Sequence, residues 1–193
     1  MSHNATKIVK NTVIGKILTV GTYRFRQFSL ILNTLFVFKI YQQPMSKNIG
    51  NEWWTSPTES IETGNLIMVT GRRGVEPLRK SGKYGIRVEI TWPYASDKSG
   101  MPDKPTSMIM EAVHEAMLDA FKKDPVAVMT GVYTGDGRRD WVFYARNTHT
   151  FEKRFNVALA SFDLLPISIH AEPDPDWEEY DEMCQASEIV PEE

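Results

Sequence analysis

Residues 135–146, GDGRRDWVFYAR, join a glycine-rich turn to a segment in which arginines mix with aromatic side chains. The two glycines of the turn supply the positive backbone angles that a tight hairpin needs. The preceding residues 126–133 are apolar and rich in β-branched side chains, which favour strands. The sequence therefore predicts an antiparallel pair of strands here, the second covering residues 138–146.

Segments on both sides of this hairpin show clear periodicity. Residues 84–92 alternate apolar with polar side chains, as half-buried strands do. Residues 106–123 carry apolar side chains at three- and four-residue spacing, which predicts an amphipathic helix. Asn147 and Thr148 are suitable N-caps for a second helix, and residues 165–171 alternate again as a strand.

The part of the chain before residue 84 is less regular. Residues 52–55 and 66–70 are candidate short strands, separated by a turn at 57–64. The basic segment 71–82 contains glycines and arginines but matches neither the Walker pattern nor the dinucleotide fingerprint. We therefore expect a solvated hairpin connection in this segment.

Residues 84–171 give the order strand, helix, strand, strand, helix, strand. This order predicts an α+β domain of the ferredoxin-like split βαβ type, an antiparallel sheet with two helices on one face and extra N-terminal strands. We expect the domain to cover residues 50–183, with the strand 138–146 in the middle of the sheet beside 84–92. The sheet face away from the two helices is then at least partly open.

Charge is divided unevenly along the chain. Residues 1–44 hold six Lys or Arg and no acid, whereas the rest of the chain has a net charge of −9. The apolar run at 28–41 is too short and too interrupted for a membrane span, and no secretory cleavage site follows it. We interpret residues 1–44 as a basic extension outside the fold, upstream of a natural start at Met45. An organelle transit peptide is the alternative, and the body of the chain is predicted to be cytoplasmic.

Several classes of partner and cofactor are disfavoured. The acidic body predicts no nucleic-acid partner, and Trp141, Phe143 and Tyr144, which superficially resemble an RNA-stacking platform, are expected mainly in the core. The single cysteine, Cys184, excludes an intrachain disulfide and a thiolate metal cluster. No metal site and no cofactor is predicted.

The charged residues of the predicted sheet allow two interpretations. Arg87 and Glu89 point to one face of their strand, and Arg139 and Arg146 lie on opposite sides of theirs because side chains alternate. Arginine forks match carboxylate or phosphate, so these residues are candidates for an anion or peptide site. The alternative is that Glu89 and Asp140 pair with the arginines across strands, as a ladder of charges on a solvated face.

An enzyme is the second functional hypothesis. His170, followed closely by Asp174, is the local grouping best suited to acid–base chemistry, and with Asp140 it suggests a hydrolase-like site. However, the spacing matches no metal-binding loop, and no nucleophile motif is present. His114 is expected to face solvent on its helix.

The C-terminal region is strongly acidic. From Glu172 onward the chain has ten Asp or Glu and no Lys or Arg. A short helix is expected at 174–184, followed by an acidic tail at 184–193. Trp177 and Tyr180 share one side of that helix and either anchor it on the sheet or dock a partner.

Two of these segments carry a family resemblance. The strand motif at Gly137, Arg139, Trp141, Phe143 and Tyr144 precedes a second motif at Asp174, Pro175, Trp177 and Tyr180. Together they resemble the bacterial "domain of unknown function 695" family over about residues 52–181. Some relatives are joined to a domain similar to the ribonuclease E regulator B protein, which implies regulation or binding rather than a defined activity.

The sequence therefore predicts a non-enzymatic binding or regulatory module that engages a protein or a small anionic ligand. The predicted contact residues are Arg87, Arg139, Arg146, Trp177 and Tyr180.

Overall fold

The structure, a computed structural model, describes residues 52–123 and 125–187. Its elements, in chain order, are β1 (Trp53–Glu59), β2 (Leu66–Arg72), α1 (Glu76–Lys80), β3 (Ile86–Pro93), α2 (Lys104–Lys122), β4 (Ala127–Gly135), β5 (Arg138–Ala145), α3 (Thr148–Ala158), β6 (Ser168–Pro173) and α4 (Glu178–Ala186). The predicted extension 1–44, the start at Met45 and the last part of the predicted tail lie outside the described residues.

The six strands form one antiparallel sheet in the order β1-β2-β4-β5-β3-β6. β5 lies between β4 and β3, which confirms the predicted interior position of this strand and its pairing with β3. The N-terminal hairpin of β1 and β2 extends the sheet beside β4. The predicted α+β class is confirmed.

The turn between β4 and β5 contacts the loop between β1 and β2. Asp136 has a φ of 52°, and the glycine on each side of it also has a positive φ, so this backbone needs its glycines. The Asp136 carboxylate accepts hydrogen bonds from Asn65 Nδ2 and Thr63 Oγ1, both at 2.8 Å, and from Ser60 Oγ at 2.9 Å. These bonds lower the pKa of Asp136, and they attach the β1–β2 loop to the turn.

One face of the sheet is covered by α2 and α3. The side chains of Asp103 and Asn147 cap these helices by accepting from Thr106 N at 2.8 Å and Thr150 N at 2.9 Å, which satisfies otherwise unpaired donors. The buried residues form the helix-face core: Val88, Ile90, Trp92, Met110, Val113, Met117, Phe121, Ala127, Met129, Val132, Trp141, Phe143, Ala145, Phe151, Phe155 and Leu159.

The opposite face is also covered, by α1, α4 and the residues that lead into α4. Its buried residues form the tail-face core: Trp54, Ile67, Val69, Val75, Tyr84, Val128, Tyr133, Val142, Tyr144, Trp177, Tyr180 and Met183. The expectation of an open face is therefore wrong for this part of the sheet. The reason lies in tertiary packing. α4 has few apolar residues, but Trp177 and Tyr180 pack it against this face of the sheet.

Three local expectations need correction. β1 runs through Pro57, where a turn was expected, and proline is tolerated there because β1 is an edge strand. The segment 71–82 is more than a solvated loop, since it contains α1 and the fully buried Val75. α4 continues past the expected domain end to Ala186.

Within residues 52–123 and 125–187, no helix combines the length and the apolar character that crossing a bilayer requires.

Candidate functional site

Arg87 has its charge matched inside the chain. It forms an ion pair with Glu172, which lies directly opposite on β6, and its Nη1 is 2.6 Å from Glu179 Oε2 on α4. The Arg87 side chain is 16% exposed. This arginine therefore ties β3 to β6 and α4. The predicted ladder does contain a cross-strand pair, although with Glu172 rather than with Glu89 or Asp140.

Arg139 lies on the helix face and Arg146 on the other, which confirms the prediction that the two arginines lie on opposite sides. Its Nη2 is 3.5 Å from Glu111 Oε2 on α2, and its guanidinium carbon lies 5.1 Å from the centre of the Trp141 ring. The side chain is 14% exposed, and burial lowers its pKa. Arg139 is thus a packed cation between the sheet and α2, with little surface for an external ligand.

Arg146 differs from both, because it is exposed and held by an aromatic side chain. Its Nη2 donates to Tyr84 Oη at 2.6 Å, and its guanidinium carbon lies 4.6 Å from the centre of that ring. Tyr84 Oη in turn donates to the carbonyl of Pro125 at 2.8 Å. In the part of the chain that the structure describes, no carboxylate forms an ion pair with Arg146. Its guanidinium is oriented but retains donors for a ligand.

A cavity of about 640 Å³ lies beside Arg146. It forms because β2 pairs with β4 only along residues 131–135, so the first part of β4 has no strand neighbour on that side. The end of α2 and the short helix α1 approach this gap from the two faces of the sheet. The sequence does not predict the cavity, because its walls come from elements far apart in the chain.

The cavity has a cationic rim. Four basic and two acidic side chains line it: Arg72, Lys122, Lys123, Arg146, Glu115 and Asp119. Asp119 lies 4.0 Å from Lys122, and both side chains are largely in solvent. The C-terminal end of α2 adds partial negative charge, which Lys122 and Lys123 offset in part. Arg146, which forms no ion pair with a carboxylate among the described residues, therefore brings uncompensated positive charge to the site.

A second polar region lies on the tail face. Asp140 is 3% exposed, and burial raises its pKa to about 6, although Arg138 Nε lies 3.1 Å from its Oδ2. Burial likewise raises the pKa of Glu179 to about 7, against the opposing effects of Arg87 and of the hydrogen bond from Tyr133 Oη at 2.8 Å. Two carboxyl groups here thus titrate close to neutral pH.

The three residues of the hydrolase hypothesis are not brought together. His170 is largely exposed and its Nε2 lies 3.5 Å from Glu172, on the far side of β3 from Asp140. Two strand spacings correspond to roughly 10 Å. Asp174 accepts from Tyr144 Oη at 2.5 Å and from the backbone N–H of Glu178 at 2.9 Å, so it caps α4.

Trp177 and Tyr180 lie inside the chain rather than on its surface. Trp177 is 1% exposed, stacks on Tyr144 with 4.0 Å between ring centres, and donates from Nε1 to the carbonyl of Tyr84 at 2.8 Å. Tyr180 Oη donates to the carbonyl of Arg72 at 2.7 Å. The anchoring interpretation accounts for both residues. Because both side chains are buried, little of their surface is open to a partner, and a role in partner binding stays a prediction.

One further cluster was not predicted. The possible metal-ligand atoms of Glu111, His114 and Glu115 lie within 4.8 Å of one another on α2. Trp141 Nε1, which can only donate, lies 3.2 Å from His114 Nδ1. A neutral imidazole that accepts at Nδ1 carries its proton on Nε2, which then has no lone pair for a metal. Burial, together with the charge of Arg139, lowers the pKa of His114 and favours this neutral form.

His114 was expected to face solvent, but it is half-buried. Its ring packs against that of Trp53, with 6.2 Å between the ring centres. Helical spacing predicts that His114 lies beside the apolar stripe of α2. It cannot predict the contacts with Trp53 and Trp141, because these residues lie on β1 and β5.

Comparison with known families assigns the chain to a family. A family model described as "Family of unknown function (DUF695)" matches residues 53–183, and the chain belongs to this family. No curated protein and no solved structure matches the chain.

Proposed function

We propose that this member of the family is a non-enzymatic binding or regulatory module, and that it binds a small anionic ligand through Arg146. The observation that carries the proposal is the exposed guanidinium of Arg146, held by Tyr84 beside a cavity of about 640 Å³. Cavities of this size accommodate small organic molecules. A guanidinium whose orientation is already fixed loses less conformational entropy when it binds a carboxylate or phosphate.

The contrast with the other two predicted arginines supports this choice. Arg87 is matched by Glu172 and Glu179, and Arg139 is packed against Trp141 beside Glu111. A ligand at either arginine has to displace an existing ion pair. Arg146 forms no ion pair among the described residues, so an anion that binds there breaks no existing ion pair.

Thermal unfolding in the presence of simple anions tests the proposal. We expect sodium acetate or inorganic phosphate, against sodium chloride of equal ionic strength, to raise the melting temperature of the full chain. A rise of roughly 3–6 °C corresponds to a ligand at about ten times its Kd. Arg146→Gln should abolish this rise, because it removes the cation and keeps a side chain of similar length.

Arg154→Gln is the matched control, because Arg154 lies on α3 outside this cavity. It should keep the full rise. An equal rise in Arg146→Gln, or no rise in the wild type with either anion, would show that Arg146 is not an anion site.

No comparable observation among the described residues supports the hydrolase alternative or RNA binding. His170, Asp174 and Asp140 do not converge, and Trp141 and Phe143 are fully buried and offer no stacking surface. Protein docking stays a prediction without an assigned surface.

We also propose that residues 84–173 form a ferredoxin-like split βαβ unit. The strand order β6-β3-β5-β4 and the packing of α2 against α3 on one face support this assignment. A cytoplasmic location stays a prediction from composition.

A further inference from the structure

Apart from its charged rim, the cavity beside Arg146 is lined mostly by apolar side chains. Leu78 of α1 and Leu118 of α2 are both half-buried, and they reach the cavity from the tail-face core and the helix-face core respectively. Phe121, whose side chain is almost fully buried, also lines the cavity. The cavity therefore presents apolar surface beside a guanidinium, which is the pattern of a site for an amphipathic anion.

The charges of the rim limit the number of negative groups that a ligand can carry. Glu115 and Asp119 line the same cavity as the basic residues, and so does the C-terminal end of α2, which carries partial negative charge. A ligand with several phosphate groups places negative charge near these groups and is repelled. A single carboxylate at Arg146 avoids that repulsion.

We propose that the ligand is an amphipathic monocarboxylate, with its carboxylate on Arg146 and an apolar body of several carbons between Leu78 and Leu118. This inference rests on the proposed anion site and specifies the ligand class of that site. The carboxylate accepts hydrogen bonds from the guanidinium donors that Tyr84 leaves available. The apolar body covers side chains that are now partly in contact with water, and this burial supplies affinity that a small hydrophilic anion lacks.

Titration calorimetry of the full chain with carboxylates of equal charge tests the inference. The series is acetate, butanoate and octanoate, the last kept below the concentration at which it forms micelles, with inorganic phosphate for comparison. Each buried methylene strengthens binding up to about fourfold. We expect octanoate to bind at least about tenfold more tightly than acetate, and phosphate to bind no better than acetate.

Two variants and one control locate the apolar body. Leu118→Gln, and separately Leu78→Gln, should weaken octanoate about tenfold and leave acetate unchanged. Val157→Gln is the control, because Val157 is 78% exposed and lies in a separate groove between α2 and α3. It should change neither ligand. A loss of octanoate affinity in Val157→Gln and not in Leu118→Gln would place the apolar site in that other groove and overturn the inference.

The outcomes separate this inference from the proposed function. If acetate and octanoate bind equally, and both binding events are lost in Arg146→Gln, the anion site stands and the amphipathic ligand class is wrong. If octanoate binds but Arg146→Gln leaves its affinity unchanged, the proposed function itself is wrong, and the ligand assignment is wrong with it.

Discussion

The two faces of the sheet are packed by different means. On the helix face, the rings of Phe121, Phe143 and Phe151 contact one another with 5.1–5.6 Å between their centres. On the tail face, Trp177 and Tyr180 are held partly by hydrogen bonds to backbone carbonyls. The helix face therefore depends on close apolar packing, and the tail face depends on a combination of packing and polar contacts.

The same strand supplies both environments. β5 points Trp141 and Phe143 to the helix-face core, and it points Asp140 and Tyr144 to the other side. A mixture of aromatic and polar residues within one strand thus builds two unlike layers. We expect the helix face to set the overall stability, and the tail face to respond to pH and to local change.

Loss of ring volume on the helix face should have the largest effect. Phe143→Ala leaves a cavity among packed rings and should lower the free energy of unfolding by roughly 3–5 kcal/mol. Urea denaturation followed by circular dichroism measures the loss. Val157→Ala, at an exposed position of α3, should change the free energy by less than about 0.5 kcal/mol. A loss below about 1 kcal/mol for Phe143→Ala would contradict the dependence on close packing.

The tail face should give the protein an unusual pH dependence. The pKa of Glu179, about 7 in the folded chain against 4.5 ordinarily, means that folding favours the protonated carboxyl. Its contribution to stability is then fully present below pH 4.5 and is lost as the pH rises through 7. Relative to Glu179→Gln, the wild type should lose roughly 2 kcal/mol of unfolding free energy between pH 5 and pH 8.

The comparison with Glu179→Gln isolates this residue from other titrating groups. Asp140 has a raised pKa and acts in the same direction, whereas the lowered pKa of His114 acts in the opposite one. Both are present in wild type and variant and cancel in the difference. A difference that stays constant with pH would show that Glu179 titrates normally.

A matched pair of substitutions compares hydrogen bonds on the two faces. Trp177→Phe keeps an aromatic ring against Tyr144 but removes the donor to the buried carbonyl of Tyr84, at a cost of about 1–2 kcal/mol. Trp141→Phe removes the donor to His114 on α2 instead.

Hydrogen exchange should then accelerate in α4 for Trp177→Phe and in α2 for Trp141→Phe. Equal acceleration of both helices in both variants would mean that the two faces open together, and the distinction between them would fail.

Much of the fold could be predicted because it depends on local patterns. The turn at Asp136 needs its glycines, and strand alternation places Arg139 and Arg146 on opposite sides of the sheet. The helices α2 and α3 follow from apolar spacing, and the start of α3 also follows from its cap at Asn147. These signals lie within short stretches of sequence.

The packing of α4 against the tail face could be predicted only in part. Trp177 and Tyr180 suggested an anchor, but the site where they dock consists of the carbonyls of Tyr84 and Arg72, about a hundred residues earlier in the chain. No local pattern encodes such a contact. The same holds for the cavity beside Arg146, which exists because β2 does not extend along the first part of β4.

Nitrogen-15 NMR of the arginine side chains in the full chain tests the anion site most directly. On addition of acetate, we predict that the Nε–H signal of Arg146 shifts in a saturable way, together with the backbone amides of Lys122 and Lys123. The signals of Arg87 and Arg139 should stay in place, because their ion pairs are already formed. Saturable shifts at Arg87 or Arg139 with none at Arg146 would contradict the account.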